Sequence, residues 1–320
     1  MKVFIVGNIA MDQTIEIDDF PREGESIFGS KVSYDLGGKG ANQAIVLART
    51  GVRTIFIAAI GTDAQSHQMQ DLLACEPVIP RLIERQNYAS DTTVVLKDLA
   101  GGNANIATVD CARSVEIVDV LPRMSDAVAN DLLVIQGNLQ HSTTADLIAE
   151  ARKLNMQIAF NPSPFNPNLI PLLSGLDVLF LNEHEAEQVT GKTGQAAVQD
   201  FLNMNIETVV LTLGARGALL GQRNDDGTDI TLVPAQNCAV VDSTGAGDTL
   251  QSVTIGSAMR RGGKICVHDL ERATRAAAIT VTRSGTTAAF PTQEELKTLN
   301  RPPSPITNPY TSTDGRDLPR

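Results

Sequence analysis

The sequence predicts an α/β fold: a three-layer core with helices on both faces of a mainly parallel sheet, and a small β-sheet set over it as a lid. Three observations lead there. From about residue 125 short apolar runs alternate with helical stretches, the rhythm of successive βαβ units. The chain opens on Lys2-Val3-Phe4-Ile5-Val6-Gly7-Asn8, an apolar run that reads as a strand buried on both faces. Two further stretches, within 12–35 and 90–109, alternate apolar with polar residues, as half-exposed strands do.

In chain order, Thr14-Ile15-Glu16-Ile17 and Lys31-Val32-Ser33-Tyr34 flank the turn material Phe20-Pro21-Arg22-Glu23-Gly24-Glu25 and read as an antiparallel hairpin. A helix is expected over 41–50, stopped by Gly51. Thr54 to Ile60 reads as one buried strand. Thr92 to Lys97 and Ala104 to Val109, either side of Gly101-Gly102, form a second two-stranded excursion that could join the first. Strands follow at Leu132–Ile135, Gln157–Phe160, Val178–Leu181 and Thr208–Leu211, with helices at 143–154, 183–190 and 195–204. Ligands of such a sheet sit at the carboxyl ends of its strands. The expected core therefore comprises 1–11, 36–89 and 110–300, with 12–35 and 90–109 as the lid. Residues 301–320, rich in Pro, Ser, Thr and Asp, read as an irregular tail.

Composition narrows the function. Acidic residues outnumber basic ones 37 to 26, a formal charge of −11, and aromatics are 4% with no Trp. A nucleic-acid partner is therefore not expected, and any anionic ligand needs a local device rather than a global field. The four cysteines, Cys75, Cys111, Cys238 and Cys266, form no CxxC pair, so they read as small apolar side chains rather than metal or redox ligands. No signal peptide or membrane stretch is evident. The expectation is a cytoplasmic protein with no membrane partner.

The most informative motif is Val241-Asp242-Ser243-Thr244-Gly245-Ala246-Gly247-Asp248-Thr249, followed by a helical run, Leu250 to Arg261, closed by Gly262-Gly263. Gly245-Ala246-Gly247 then lies at a helix N-terminus, whose free N–H groups and dipole make an anion site. An acid in a first helical turn can simply favour the dipole. Two glycines around an alanine just before it have no such explanation. A carboxylate beside an anion hole suits a base that deprotonates a hydroxyl while the hole takes charge from a moving phosphoryl group. A second motif, Leu36-Gly37-Gly38-Lys39-Gly40-Ala41-Asn42-Gln43-Ala44, joins the hairpin to a helix. Its glycines let a polyhydroxy ligand reach the main chain, and Asn42 can donate to and accept from hydroxyls. It is neither a GxGxxG fingerprint nor a Walker A loop.

Together with Asn182-Glu183-His184-Glu185-Ala186-Glu187 and Thr212-Leu213-Gly214-Ala215-Arg216-Gly217, these motifs resemble the ribokinase-like (PfkB) carbohydrate kinase family in order and spacing, from about Val3 to Pro291. The Gly-Gly-Lys-Gly-Ala-Asn-Gln run and residues 278–285 look closest to its ribokinase branch. The resemblance implies a kinase using ATP and Mg²⁺ on a small-molecule sugar, with Asp248 as base and Gly245, Ala246 and Gly247 as anion hole. It implies sugar contacts from Asp12, Gly38, Lys39, Asn42 and the Asn138 position, and a nucleotide site including Asn182, Glu185, Thr212, Gly214 and Gly217. Glu185 would organise Mg²⁺ through water. A K⁺ site of Asp242, Thr244, Thr280, Arg283 and Gly285, mostly through backbone carbonyls, is also implied, as is a homodimer through the lid. In that branch a further cation position is Ser where this chain has Ala289.

Two other departures concern the sugar. Ala10 stands where ribokinases carry Asn, and Asn138 where they carry Glu. Losing a buried hydrogen-bond partner costs about 1–3 kcal/mol, so the expected substrate is a sugar other than ribose, such as a ketohexose or a modified pentose. The alternatives are a nucleoside kinase, which the scarcity of aromatics disfavours, a non-catalytic sugar-binding regulator, which an intact Asp248 disfavours, and a nicotinamide-dependent oxidoreductase, which the failed GxGxxG disfavours.

Overall fold

The computed structural model describes residues 1–99, 102–225 and 227–299; the expected tail at 301–320 lies outside them. The chain begins with β1 (Val3–Val6), then β2 (Ala10–Ile17), β3 (Gly29–Gly37), α1 (Lys39–Arg49), β4 (Thr54–Ile57) and β5 (Ala59–Ile60). It continues through α2 (Ala64–Ala74), β6 (Ile79–Pro80), β7 (Ile83–Glu84), β8 (Thr92–Asp98), β9 (Asn103–Ala107), α3 (Asp110–Arg113) and α4 (Ile117–Val120). The regular part follows: β10 (Leu132–Gln136), α5 (His141–Lys153), β11 (Gln157–Asn161), β12 (Val178–Asn182), α6 (Glu183–Thr190), α7 (Gly194–Asn203) and β13 (Thr208–Thr212). A hairpin, β14 (Ala218–Asn224) and β15 (Gly227–Val233), precedes α8 (Ala246–Arg261), α9 (Val267–Val281) and α10 (Gln293–Thr298).

The main sheet has the order β15-β14-β13-β12-β11-β10-β1-β4-β6. From β13 to β6 all neighbours are parallel, and β14 and β15 extend the edge antiparallel. Strand alternation divides the core in two. Val3 and Ile5 pack with Ala44, Leu47 and Val253 on one face; Phe4 and Val6 pack with Leu147, Ile148 and Phe201 on the other. α8 is the innermost helix, buried from Asp248 to Ala258. Its small polar residues find partners inside: Thr249 with the Thr280 hydroxyl at 2.9 Å, and Ser252 donating to the Gln43 carbonyl at 3.0 Å. Gly256 lets α1's end come close, since a Cβ there would lie 2.4 Å from Thr50 Oγ1. Gly262 closes the helix in the left-handed region at φ 73°.

The small sheet is separate, in the order β3-β2-β8-β9. The two expected excursions do combine, through a parallel pairing of β2 with β8. The expected strand at 54–60 is in fact two. β4 pairs with β6 in the main sheet, whereas β5 pairs with β7 in a two-stranded ribbon. The chain changes partner at Ala58, whose carbonyl accepts from Ile83 N at 2.9 Å, so an unbroken apolar run serves two sheets. Among the described residues no helix is long and apolar enough to cross a membrane.

Candidate functional site

Asp248 sits in the first turn of α8 and is only 6% exposed. Its carboxylate is held at both oxygens: Asn42 Nδ2 donates to Oδ2 at 3.0 Å and Gln43 Nε2 to Oδ1 at 2.9 Å. Both donors come from α1, so the two Gly-rich motifs, some 200 residues apart, meet here. Gly38 begins α1 at φ 90°, with Asn8 and Ile9 backbone atoms 3.0 Å from where a Cβ would stand. A side chain is excluded there on both conformational and steric grounds.

Gly245 caps α8 at φ 74°, and a Cβ would fall 2.5 Å from the Phe290 ring. A Cβ on Gly247 would meet nothing within 4 Å, so that residue faces open space. One amide of the expected anion hole is engaged locally. Ala246 N–H already bonds the Ser243 carbonyl at 3.3 Å in a tight turn. Among the described residues, the amides of Gly245, Gly247 and Asp248 have no main-chain partner from the preceding loop, so two of the three expected donors are free and Asp248 adds another.

Two cavities lie beside this helix end. A groove of about 440 Å³ is lined by Thr212, Gly214, Gly217, Ala246, Gly247 and the 235–240 loop, among others. A smaller cavity of about 70 Å³ is lined by Lys39, Asn182, Glu185, Thr212, Gly247 and Asp248, among others. Thr212, Gly247 and Leu250 border both, so the two are neighbours, and the smaller reaches the carboxylate. Asn182 and Glu185 cap α6 reciprocally: Glu185 N donates to Asn182 Oδ1 at 2.8 Å and Asn182 N to Glu185 Oε2 at 2.9 Å. That leaves one Glu185 oxygen able to meet a hydrated Mg²⁺, and the residue lines the cavity, so it fits the expected role.

On the other side Asp12, on β2, stands opposite Asp35 and Thr93. Burial pushes its carboxyl up to about 6; Thr93 and Thr286 hydroxyls pull it down, and the charge of Asp35 adds to the rise. A Cβ on Gly37 would lie 2.1 Å from that carboxylate, which explains the glycine. Asp12 Oδ1, Asn42 Oδ1 and Asn138 Oδ1 are all buried without a hydrogen-bond partner. Ala10, at the start of β2, is buried.

The expected K⁺ ligands do not offer a free side-chain set. Lys97 Nζ reaches from β8 to Asp242 Oδ2 at 2.6 Å, and Thr244 N donates to Oδ1 at 2.9 Å. Burial raises the Asp242 carboxyl, but these contacts outweigh it and hold it below its ordinary value. Thr280 bonds Thr249, Arg283 pairs with Glu295, and Gly285 turns at φ 98° beside Asp35. Among the described residues no group of three or more His, Cys, Asp or Glu could hold a metal. The Lys97 and Thr244 contacts engage the Asp242 side chain; the expected site, built mostly from backbone carbonyls, does not depend on it.

Sequence reasoning missed Asp35, whose Oδ2 accepts from Thr286 N at 2.7 Å and Thr287 N at 2.9 Å, and the Gln136 and Gln251 side chains. Their partners lie about 90–250 positions away, beyond any local pattern.

A family model described as pfkB family carbohydrate kinase matches residues 1–293. The chain belongs to the pfkB carbohydrate kinase family. This carbohydrate kinase is 27% identical to a ribokinase of Haemophilus influenzae over 299 residues, covering 91% of this chain and 95% of that one. In structure it is similar to Thermotoga maritima ribokinase, with a TM-score of 0.82, 24% identity and coverage of 93% and 99%. It is equally similar to Arabidopsis thaliana ribokinase complexed with ribose and ATP, with a TM-score of 0.82, 24% identity and coverage of 93% and 98%. The pfkB kinase thus shares their fold over nearly the whole chain.

Proposed function

We propose that this kinase transfers the γ-phosphoryl group of ATP to a hydroxymethyl group of a sugar other than ribose, with Asp248 as general base. The observation that carries it is the buried Asp248 carboxylate in the small cavity, which shares Thr212, Gly247 and Leu250 with the 440 Å³ groove. Nucleotide in the groove near Thr212, Gly214 and Gly217 brings its phosphates toward the Gly245–Gly247 turn. The amides of Gly247 and Asp248, with the α8 dipole, take up charge as the phosphoryl group moves. Lys39 lines the same small cavity, and its ammonium suits phosphate oxygens. When bound, Mg²⁺ beside Glu185 supplies further neutralisation of phosphate charge.

The sugar lies between β2 and α1. Three buried oxygens without donors, on Asp12, Asn42 and Asn138, are what a polyhydroxy ligand satisfies with its O–H groups. Asn42 and Gln43 fix the Asp248 carboxylate while leaving lone pairs for the substrate O–H. Asp248 takes that proton as the oxygen attacks in line. The small sheet acts as a lid that keeps water from the phosphoryl group. Ala10 and Asn138 in place of longer or charged donors and acceptors support a sugar shaped differently from ribose.

The test is ATP consumption with a panel of D-ribose, 2-deoxy-D-ribose, D-fructose and D-tagatose, each with the parent and with Asp248→Asn. The parent should prefer a sugar other than D-ribose, and Asp248→Asn should lower kcat by about 10²- to 10⁴-fold with an unchanged melting temperature. Clear preference for ribose defeats the substrate reading; near-normal turnover by the variant defeats the base.

A further inference from the structure

Behind the reactive carboxylate lies a buried group of three glutamines from three elements. Gln43 of α1, Gln136 at the end of β10 and Gln251 of α8 are 1%, 0% and 3% exposed. Gln43 Nε2 donates to Asp248 Oδ1 at 2.9 Å. Its Oε1 accepts from Gln136 Nε2 at 2.7 Å and from Gln251 Nε2 at 3.1 Å. Burying three primary amides is costly where apolar side chains would pack, so their retention asks for a reason beyond stability.

The hydrogen-bond directions supply one. An ionised carboxylate only accepts, so Gln43 must turn its NH₂ toward Asp248. Its carbonyl oxygen then faces away, and both glutamines that meet it must present NH₂ in turn. The carboxylate thereby sets the orientation of the whole cluster, and the cluster in return can hold the carboxylate in only one rotamer. Gln136 Oε1 is left buried with no donor, and Gly7 leaves room for it, since a Cβ there would lie 2.0 Å away. An acceptor is left unpaired so that the donor can point inward. Ser252 Oγ, donating to the Gln43 backbone carbonyl at 3.0 Å, keeps α1 and α8 in register around the cluster.

We propose that Gln43, backed by Gln136 and Gln251, is a positioning residue that holds Asp248 in the orientation from which it receives the substrate proton. This rests on the reading of Asp248 as base. Gln43 and Gln136 line neither cavity and act through that carboxylate, while Gln251 also borders the small cavity. A displacement of the base by about 1 Å is enough to cost on the order of 10²-fold in rate.

A double-mutant cycle separates positioning from a merely structural role. Gln43→Met and Asp248→Asn are made singly and together, and kcat and KM are measured with ATP and the fastest sugar of the panel. Gln43→Met should lower kcat by about tenfold or more, with the KM for ATP within about twofold of the parent. In the Asp248→Asn background the same change should cost less than about twofold, because no base remains to be positioned. Near-parental kcat in Gln43→Met, or the same fold loss in both backgrounds, overturns the proposal. Failure of the base reading has a different signature: Asp248→Asn alone retains parental turnover. If Gln43→Met does not fold, Gln251→Met enters the same cycle, with the same non-additivity expected and the same additive result overturning it.

Discussion

Asp12 has the most perturbed carboxyl of the candidate site. Its raised value of about 6, against an ordinary 3.8, means that the fold disfavours its ionised form, chiefly through burial and then through Asp35. The stability its neutral form contributes is complete below about pH 4 and is lost as the pH rises through about 6. Asp12→Asn removes that loss. The variant should melt higher than the parent at pH 8, by about 2 °C or more, and the gap should close by pH 4. An unchanged or lower melting temperature at pH 8 contradicts this. The sugar KM of the parent should also rise below about pH 6, where the acceptor is protonated, while that of the variant stays flat. At this scale the sequence was partly legible. Asp248 and Asn42 stand in short motifs whose glycines explain themselves locally. Asp35, Gln136, Gln251 and Thr286 were not, because each acquires its role only when distant segments meet.

At the scale of elements the small sheet is tied to the core by charge as well as by strand ends. Lys97 is four residues beyond Thr93 on β8 and so shares the inner face with Asp12. Its ion pair with Asp242 bears on the loop that leads into the Gly245–Gly247 turn. Lys97→Met leaves the Asp242 carboxylate largely buried and unpaired, which should cost about 1–3 kcal/mol at pH 7. Because the pairing holds Asp242 below its ordinary value, that contribution is present above about pH 4 and disappears as the pH falls through the depressed value. The variant should hydrolyse ATP faster in the absence of sugar, and should respond to K⁺ over tetramethylammonium more than the parent does, because Asp242 is then free for a cation. Equal K⁺ response in both contradicts the competition. Elements differed in legibility for physical reasons. β10 to β13 are continuous apolar runs, visible as such. α2 buries only Ser66, Met69 and Leu73, too few to mark a stripe. The 54–60 run hid a change of partner that composition does not encode.

For the whole molecule, the outer face of the small sheet is an exposed apolar feature. Val32 and Tyr34 on β3 and Ile106 on β9 are 53%, 61% and 66% exposed, and register places them on one face with Ile15 and Val94. Water-exposed apolar groups gathered in this way mark association surfaces. A homodimer through this face is the expected assembly. Gel filtration with light scattering should give twice the chain mass for the parent and a monomer for Tyr34→Glu combined with Ile106→Glu; a monomeric parent ends the idea.

The parallel pairing of β2 with β8 carries a consequence in time. Parallel neighbours cannot be joined by a tight turn, and here the intervening chain runs through β3, α1, β4, β5, α2, β6 and β7. The small sheet therefore closes a long loop, at an entropic cost that only a preformed core can offset. Pulse-labelled amide exchange during refolding should find residues 10–17 and 92–98 protected after β1, β4 and β10; simultaneous protection would mean that the cover nucleates by itself. A polypeptide emerging from the ribosome would thus release its cover strands long before the segments lining the 440 Å³ groove, yet pair them only once β1, β4 and β10 had assembled.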